Sequence, residues 1–498
     1  MKIDVQIAEG YESAHIIVKT EEGEVEPVVT PVDLMHSLSV RNVIIGIKHD
    51  VLNEICESKL FNQLKLAAEC EPPGVGDAAR IEILRKPKKK NEISAPRTQD
   101  NTVDYIAPRE GFLVTARKGD TLAIKYPSTR GNPGKTVLGR VIPGKFGKEI
   151  DLELFKGPGT SISEDKLFSD QDGILTMDGL KLSVLDTYVI DDSIGLNTGS
   201  IDLPLDLKVK LVVKGDVQRG YWVSCNSLEV NGCVEDSKIT VSTLFVKEGI
   251  VGIGKDPVIA DRISAGYING PRQVKGNMIS VVREISGGAE VYGNVIQVYT
   301  IRGSTVAAKE ALWSQFVNGK NVIIVGIDYQ NKMLHDELSK KIHAVEDPIE
   351  ELKSQGLLNT KRMKKLTELA RINPKHPLLL QELPKIREAQ IRLDNFLNLR
   401  AELIKKREEF ALAMYSTEEP FFLVQEGFSK DKSSDAVVEP NIIITMREHN
   451  LRITEAVSGG LFTVTQYGIT HTSRYNIKEL KTLFETLQKN SIQKENHS

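Results

Sequence analysis

A short glycine-rich turn is the first place in this sequence where chemistry could be expected. The stretch Gly131-Asn-Pro-Gly-Lys-Thr136 imitates a phosphate-binding loop, in which consecutive backbone N–H groups curl around a phosphate. Such a loop needs four residues between its first glycine and the Gly-Lys-Thr triplet, but only two separate Gly131 from Gly134. We therefore predict a structural turn here, with no nucleotide and no other cofactor bound.

The residue types that usually hold metals or act as nucleophiles are scattered along the chain. Its nine histidines form neither an HExxH motif nor a His-x-His pair. Its four cysteines make no CxxC pair and have no histidine at zinc-site spacing. We expect free thiols in a reducing compartment, and we predict no metal site. The four cysteines are Cys56, Cys70, Cys225 and Cys233.

A set of charged side chains in the middle of the chain could form a carbohydrate-acting site. Some β-helix enzymes gather such side chains on one outer face, although a solvated charged face is the simpler interpretation. A β-helix acyltransferase is disfavoured because those enzymes usually need a histidine, and none occurs between His49 and His335. We predict no catalytic residue and no enzyme, with a carbohydrate-acting enzyme as the least favoured alternative. The charged set consists of Asp216, Arg219, Arg262, Arg272 and Arg283.

Length and composition restrict the class of protein. The chain has 498 residues, which is too long for one compact core and favours about two to four domains. Its net charge of -3 gives no overall attraction to nucleic acid. The N-terminal sequence MKIDVQIAEGYES has acidic residues where a secretion signal needs an apolar run. No segment reaches the ~20 apolar residues of a membrane span, so we expect a cytoplasmic protein without nucleic-acid partners.

A repeat in the centre of the chain is the strongest structural signal. The motif Val-x-Gly-x-apolar returns with a step of 17 residues from Gly215 to Gly232, and again from Gly276 to Gly293, while Gly249 continues the first series. This period is too short for a helical repeat and is typical of one coil of a parallel β-helix. We expect these five glycines to serve positions where the chain needs a positive φ or passes close to its neighbour. The general preference for right-handed parallel connections favours a right-handed coil.

Two proline-containing segments interrupt the motif. Lys255-Asp-Pro257 and Asn269-Gly-Pro271 fall where the repeat is lost, between about Gly252 and Gly270. We interpret them as loops that leave the solenoid, which would make them candidate contact surfaces.

The segments on either side of the repeat have different compositions. Pro31 begins a predicted α-helix, and a second helix is expected from Asp50 to Leu66. After Gly326 the chain becomes rich in Lys, Glu and Leu, and Asn373–Pro377 breaks it into two helices. These would fold back as an antiparallel hairpin, with a dimeric coiled coil as the alternative. The predicted seam of the second helix contains Leu383, Ile386, Leu393, Leu397, Ile404 and Ala411, with Gln390, Arg400 and Arg407 between them.

The sequence thus predicts a multidomain, mainly β protein with a central right-handed parallel β-helix. We divide the chain into an N-terminal α/β domain, an all-β domain, the β-helix, a coiled-coil helical hairpin, a C-terminal β segment, and a terminal helix with a disordered tail. Their predicted bounds are 1–100, 101–195, 196–330, 331–415, 416–475 and 476–498.

Several turns and the order of the parts resemble a known family. Val43-Ile-Ile-Gly-Ile-Lys48 is followed by Ala67-Ala-Glu-Cys-Glu-Pro-Pro-Gly-Val-Gly-Asp-Ala78, and later by Gly131-Asn-Pro-Gly-Lys-Thr-Val-Leu-Gly139. With the Val-x-Gly repeats, and with Gly287-Gly288 and Val306-Ala-Ala308 in the closing coil, they resemble the bacterial flagellar assembly protein A (FapA) family. Cys70 stands where that family usually has a glycine. The resemblance spans nearly the whole chain and implies a role in flagellar assembly or polar organisation, with no established enzymatic activity.

From these features we predict a non-enzymatic scaffold or adaptor that acts through protein–protein contacts. The β-helix would be a rigid platform, the helical hairpin a reaching or self-associating element, and the N-terminal α/β domain a docking module. Expected partners are flagellar assembly or positioning components, and the coiled coil could join two copies of the chain. The alternative is a bactofilin-like structural protein whose solenoids join end to end through exposed strand edges, which the flanking domains would oppose.

Overall fold

The chain forms two compact units in its computed structural model, which describes residues 2–21, 28–88, 93–254, 256–270, 272–425 and 437–493. The first unit takes in residues 1–87 and 113–185, and the second takes in residues 88–112 and 186–498. The six-part division predicted from the sequence is finer than this and stays a prediction.

The first unit begins with a three-stranded antiparallel sheet and two short helices. The middle strand pairs with both of the others, and the buried faces of the two helices contribute Leu34, Leu38 and Leu52 to the core. Thr30 and Asp33 form a capping box at the start of the first helix, so its first N–H groups are satisfied. The elements are β1 (Lys2–Ile7), β2 (Ser13–Lys19), α1 (Pro31–Val40), α2 (His49–Glu57) and β3 (Lys65–Glu69).

The second helix is shorter than the sequence predicts. The predicted helix runs from Asp50 to Leu66, but α2 ends at Glu57 and β3 begins at Lys65. The prediction is wrong beyond Glu57 because Lys59 has a φ of +49° and Leu66 pairs with His15 of β2. Cross-strand pairing therefore overrides the local preference of this segment.

The rest of the first unit is made of small antiparallel sheets. Leu122, Leu167, Leu175 and Leu182 are buried in their shared core. The strands are β4 (Arg80–Ile83), β5 (Val114–Ala116), β6 (Thr121–Tyr126), β7 (Gly134–Lys135), β8 (Val141–Ile142), β9 (Thr160–Ser163), β10 (Lys166–Ser169), β11 (Gly173–Asp178) and β12 (Lys181–Leu185). They form sheets of order β4-β6-β10-β9, β12-β11-β5 and β7-β8, and a 3-10 turn spans Leu152–Phe155.

The second unit is built on a parallel β-solenoid. Strands of successive coils pair in parallel, as predicted from the repeat of about 17 residues. Its strands before the helical hairpin are β13 (Thr187–Ile190), β14 (Ile201–Asp202), β15 (Lys210–Val213), β16 (Trp222–Val230), β17 (Val234–Glu235), β18 (Lys238–Val251), β19 (Val258–Asn269), β20 (Gln273–Ser286), β21 (Glu290–Arg302), β22 (Thr305–Asn318) and β23 (Val322–Val325).

Three columns of inward-facing apolar side chains form the core of this solenoid. Residues of successive coils lie opposite one another in each column, so apolar side chains stack on similar side chains and leave water. The first column contains Ile201, Val223, Ile239, Val258, Val274, Val291, Val306, Ile323 and Ile444. The second contains Leu211, Leu228, Leu244, Ile263, Ile279, Ile296, Leu312 and Phe422. The third contains Ile194, Val217, Val234, Ile250, Ile268, Ile285, Ile301, Val317 and Val438.

The solenoid is continuous where the motif is interrupted. Residues 258–269 form β19, which pairs in parallel with β18 on one side and β20 on the other. The repeat therefore continues through the residues between the two segments, whereas the interpretation of the segments themselves as loops that leave the solenoid stays a prediction. Lys255 and Pro271 themselves lie outside the described residues. The Val-x-Gly motif is absent from this coil, but Val258, Ile263 and Ile268 still fill the three apolar columns.

Neighbouring atoms lie close to the glycines of the repeat. An added Cβ would lie 2.6 Å from the carbonyl oxygen of Ala260 at Gly276, and 3.0 Å from that of Gly276 at Gly293. The same construction places a Cβ 2.0 Å from Asp216 Oδ1 at Gly232. Five other glycines take positive φ at successive turns of the solenoid, namely Gly252, Gly270, Gly287, Gly303 and Gly319. The geometry thus favours close packing as the role of the repeat glycines, which also include Gly215 and Gly249.

The helical hairpin is an insertion within one coil of the solenoid. β23 pairs with the first part of β22, and two strands that follow the hairpin pair with the middle and last parts of β22. A third strand after the hairpin pairs with β23. Strand pairing thus joins residues 421–424, 437–438 and 443–446 to the solenoid. The elements are α3 (Tyr329–Ile372), α4 (Pro377–Met414), β24 (Phe421–Val424), β25 (Val437–Val438) and β26 (Ile442–Met446).

Reversed strands cover the last parallel coil. After β26 the chain turns back and pairs antiparallel with β26, β25 and β24 in succession. A final helix buries Phe484 and Leu487 in a cluster that contains Phe421 and Leu423. The elements are β27 (His449–Ile453), β28 (Val457–Ser458), β29 (Gly460–Thr465), β30 (Gly468–Thr472) and α5 (Ile477–Gln493).

Residues 93–112 contact the first coil. The N–H of Ser200 donates to the carbonyl of Ile106 over 2.9 Å. The buried Arg109 donates to backbone carbonyls of its own segment, and over 2.8 Å to the carbonyl of Leu196. Residues of this segment are therefore hydrogen bonded to the first coil, just as the strands after β26 pair with the last parallel coil.

Candidate functional site

Arg272, the most buried of the charged set, forms part of a structural corner. Its Nη1 lies 3.1 Å from Asp236 Oδ1, and its Nη2 donates to the carbonyl of Ser237 over 2.7 Å. The N–H of Gly254 donates to the same Asp236 oxygen over 2.6 Å. Burial would raise the pKa of Asp236, but the hydrogen bond from Gly254 and the ion pair with Arg272 outweigh it and hold this pKa below its ordinary value.

The remaining members of the charged set do not converge on one cleft. Arg219 Nε lies 3.5 Å from Asp236 Oδ2, whereas Asp216 accepts a hydrogen bond from the N–H of Cys233 over 2.7 Å. Arg262 lies between Thr243 and Met278 of the adjacent strands. Arg283 is elsewhere, paired with Glu248 over 3.2 Å. The arrangement gathers only Arg219 and Arg272, around an aspartate that sequence analysis missed.

A shallow open groove lies beside Arg283. Its guanidinium carbon lies 4.7 Å from the ring centroid of Tyr267, and Asn269, Glu284 and Tyr299 also line the groove. The hydrogen bond with the Cys233 thiol and burial raise the pKa of Tyr267, so its phenol is protonated at neutral pH. The groove therefore offers a stacking surface with charged neighbours and no ionised phenol for acid–base chemistry.

The glycine-lysine turn has the contacts expected of a structural element. The N–H groups of Gly131, Lys135 and Thr136 donate to the carbonyls of Lys145, Glu71 and Arg140, over 3.0, 3.0 and 2.8 Å. A Cβ at Gly134 would lie 2.2 Å from the Glu71 carbonyl oxygen. Because these amides already have backbone partners, they do not form a free cradle for a phosphate.

The four cysteines are free thiols, as predicted. Burial raises the pKa of Cys225 to about 12, so this thiol stays protonated at neutral pH and is a poor nucleophile. Among the residues that the structure describes, no group of three His, Cys, Asp or Glu side chains is placed to hold a metal ion. Within the same described ranges, no helix is both long and apolar enough to cross a membrane.

Several kinds of contact meet at the root of the helical arm. The root is defined here as residues 326–331 and 413–420 with the side chains that contact them. Asp328 caps α3 by accepting hydrogen bonds from the N–H groups of Gln330 and Asn331, each over 3.1 Å. The same carboxylate pairs with Lys309 of β22 over 3.2 Å. One aspartate thus starts the helix and ties it to the solenoid.

An aromatic stack fixes the first turn of the arm. The ring of Tyr329 lies 4.3 Å from that of the buried Tyr292 in β21, with an angle of 15° between their planes. Ile324, Ile327 and Met414 complete the apolar cluster around these rings. Burial raises the pKa of Tyr292, and its hydroxyl donates to Glu290 over 2.7 Å. This packing adds apolar burial to the cap described above.

Backbone hydrogen bonds close the root. Asp328 N–H donates to the carbonyl of Met414 over 2.7 Å, and Ser416 N–H donates to the carbonyl of Gly326 over 3.1 Å. Arg447 also donates to the carbonyls of Ser416 and Glu418, over 3.3 and 3.1 Å. The two chain segments of the root are therefore hydrogen bonded to each other and to Arg447, which follows β26.

The two helices of the arm pack antiparallel, as predicted. Three contacts between the helices show this: Asn331 with Ala413, Glu346 with Arg400, and Arg362 with Glu382. Residues later in α3 contact residues earlier in α4, so the two helices run in opposite directions. The predicted seam is right at six positions and wrong at three. The half-buried six are Ile386, Leu393, Arg400, Ile404, Arg407 and Ala411, and the exposed three are Leu383, Gln390 and Leu397. The seam of α4 also contains the half-buried residues Ala389, Phe396, Leu403, Phe410 and Met414.

These features define a β-solenoid protein with a helical arm inserted in one coil. Residues 3–179 match the Flagellar Assembly Protein A N-terminal region, and residues 186–469 match the Flagellar Assembly Protein A beta solenoid domain. The chain therefore belongs to the Flagellar Assembly Protein A family. No curated protein and no solved structure matched the chain.

Proposed function

We propose that this protein is a non-enzymatic scaffold in flagellar assembly, which presents its helical arm from a fixed position on the solenoid to protein partners. The observation that carries the proposal is the root, where both ends of the arm are bound to the coil that they interrupt. The Asp328 cap, the Asp328–Lys309 ion pair and the Tyr292–Tyr329 stack act together. They fix the direction in which the arm leaves the solenoid. Family membership supports the connection with flagellar assembly.

The charged side chains favour a structural use over catalysis. Arg272 is committed to Asp236 and to a backbone carbonyl, and Arg283 is committed to Glu248. Tyr267 and Cys225 have raised pKa values, so neither is ionised at neutral pH. A phenol or thiol that acts as a general base or nucleophile needs a lowered pKa, so that it is ionised near neutral pH.

In this proposal the partners are cytoplasmic proteins of flagellar assembly or positioning. The first unit is a docking module for one of them, and the arm engages another. End-to-end joining of solenoids, as in a bactofilin-like polymer, is less favoured because β27, β28 and β29 already pair with the last parallel coil.

An armless variant provides the test. Residues 328–414 are replaced by Asn-Gly, because Ile327 and Tyr415 form an antiparallel bridge that a two-residue turn can close. The tagged full chain and the tagged armless chain are crosslinked in cells of a flagellated host, and the captured proteins are identified by mass spectrometry. Thermal unfolding of the purified variant checks that its solenoid is intact.

We expect the full chain to capture flagellar basal-body, export or positioning proteins, and the armless chain to lose at least one of them. Capture of the protein itself and nothing flagellar would overturn the scaffold proposal and favour a self-associating structural protein. An identical set of partners with and without the arm would exclude the arm as a binding element.

A further inference from the structure

The charge of the arm is concentrated in its far half. Residues 361–392, here called the distal arm, contain nine Lys and Arg against three Asp and Glu, a net charge of +6. The proximal arm, residues 329–360 and 393–414, contains eight Lys and Arg against ten Asp and Glu. The whole chain has a net charge of -3, so this positive region is a local feature.

Most of these distal cations make no ion pair with any residue that the structure describes. Within the described part of the chain, only Arg362, Lys385 and Arg392 of the nine are paired, with Glu382 or Glu388. Unpaired exposed cations attract an anionic surface more strongly than cations already neutralised by a neighbour. The six without an ion pair are Lys361, Lys364, Lys365, Arg371, Lys375 and Arg387.

Large aliphatic side chains are exposed at the apex beside these cations. Ile372, Leu378 and Leu380 are 83, 47 and 74% exposed, and they flank the turn between α3 and α4. α3 has 44 residues, which corresponds to about 66 Å of helix between the root and this turn. An apolar apex surrounded by cations is the composition of helices that lie in the interface of an anionic membrane.

We propose that the apex of the helical arm docks on a membrane surface that contains anionic lipids. The distal cations contact lipid phosphates, while Ile372, Leu378 and Leu380 leave water among the upper acyl chains. The arm would then connect the solenoid to the membrane without spanning it. Vesicle binding needs no flagellar partner, so it can fail while the pull-down succeeds, and the reverse also holds.

Nucleic acid is the less favoured occupant of this positive region. The distal arm contains no Phe, Trp or Tyr, so it lacks the aromatic side chains on which single-stranded bases stack. Contact with a phosphate backbone would also leave the three exposed aliphatic side chains of the apex in water. Membrane docking uses both the charge and the apolar apex.

The test is sedimentation of the full chain with vesicles, using phosphatidylcholine alone or mixed with phosphatidylglycerol. We expect binding only to the mixed vesicles, weakened by salt because the attraction is electrostatic. The variant Lys361→Glu/Lys365→Glu/Lys375→Glu should lose about tenfold or more in affinity. Its matched control, Lys340→Glu/Lys353→Glu/Lys405→Glu, makes the same charge change on exposed lysines of the proximal arm and should bind like the wild type.

A second pair of variants tests the apolar apex. Ile372→Ser/Leu380→Ser should weaken vesicle binding even at low salt, whereas Leu412→Ser should not, although Leu412 is 87% exposed near the root. Unchanged helicity by circular dichroism shows that the arm is folded in each variant. No binding to the mixed vesicles, or equal losses in distal and proximal variants, would overturn the proposal. Binding of duplex DNA through the distal lysines without vesicle binding would overturn it in favour of nucleic acid.

Discussion

Arg272 is fully buried, yet it is one of five charged residues that the sequence offers as a carbohydrate-acting site. Its Nη atoms are hydrogen bonded to Asp236 and Ser237, while its Nε has no partner among the described residues. A buried ion pair adds little compared with apolar packing, but removal of one partner leaves an uncompensated charge. At this position the guanidinium holds two corners of the solenoid together.

Loss of Asp236 should therefore destabilise the solenoid. We expect Asp236→Ala to lower the free energy of unfolding by about 3 kcal/mol, because it leaves the Arg272 charge buried and unpaired. Urea unfolding followed by circular dichroism measures this. The matched control is Glu248→Ala, which removes the half-exposed pair with Arg283 and should cost less than about 1 kcal/mol. Equal effects of the two substitutions would contradict the structural role of the buried pair.

The same carboxylate gives a pH dependence with a defined sign. Its folded pKa lies below the ordinary value of 3.8, so its full stabilisation is present above pH 3.8 and is lost as the pH falls through the lowered pKa. The difference in unfolding free energy between wild type and Asp236→Asn should be constant at neutral pH and shrink below pH 3.8. Unfolding measured across acid pH checks this, and a constant difference throughout would refute it.

At the residue scale, sequence supplies the charged residues but not their partners. The sequence identifies Arg219 and Arg272 as members of a set, whereas Asp236, on which both converge, is absent from it. Asp236 has a φ of +36° at the end of a short strand, and its distance from Arg272 depends on the lengths of the intervening coils. Those lengths vary, so the pairing could not be derived from residue types.

At the scale of elements, the columns of side chains determine the solenoid more than the glycine motif does. The period of 17 residues correctly predicts parallel coils, but the motif is absent from the coil that contains β19. Val258, Ile263 and Ile268 keep all three columns filled there. A search for inward apolar triplets would find this coil, whereas a search for Val-x-Gly does not.

Substitution within β19 tests this view. Ile263 is 2% exposed in the second column, so Ile263→Ala should lower the free energy of unfolding by about 2–5 kcal/mol through a cavity. Ile259 lies on the same strand and is 39% exposed, so Ile259→Ala is a matched control with a small effect. Urea unfolding of both variants is the measurement. If Ile263→Ala costs no more than its control, the coil does not contribute to the core as described.

The seam of α4 shows a different limit of sequence reasoning. The predicted seam has Leu397, Ile404 and Ala411, and a second half-buried set, Phe396, Leu403 and Phe410, lies one residue earlier. Leu397 is exposed, whereas Ile404 and Ala411 share the seam with the second set. Both sets repeat every seven residues, so periodicity alone does not separate them. The partner helix α3 decides the face, and its position depends on the turn between the helices and on the root.

At the scale of the whole molecule, antiparallel strands that follow the arm cover the last parallel coil of the solenoid. β27, β28 and β29 run back along the last parallel coil and pair with its strands. Paired edges do not offer a template for another chain. The sequence predicts a β segment after the arm. Its antiparallel pairing depends on the chain reversal between β26 and β27 near Arg447, and no distinctive sequence motif marks that reversal.

Removal of this covering should promote self-association. A chain that ends at Met446 leaves the strands β24, β25 and β26 without their antiparallel partners. We expect it to form larger assemblies than the full chain in light scattering, while circular dichroism still reports a strand-rich fold. A truncated chain that is as monodisperse as the full chain would show that these strands do not protect the edge.

The measurement that tests the scaffold account most directly is restoration of flagella in a deletion strain of a flagellated host, counted by electron microscopy. We predict that the wild-type chain and the triple variant Arg219→Ala/Arg262→Ala/Arg283→Ala restore flagella, because a scaffold does not need these exposed or half-buried arginines for catalysis. The armless variant, with residues 328–414 replaced by Asn-Gly, should fail although its solenoid folds. Full restoration by the armless variant, or failure of a folded triple variant, would contradict a scaffold that works through its arm.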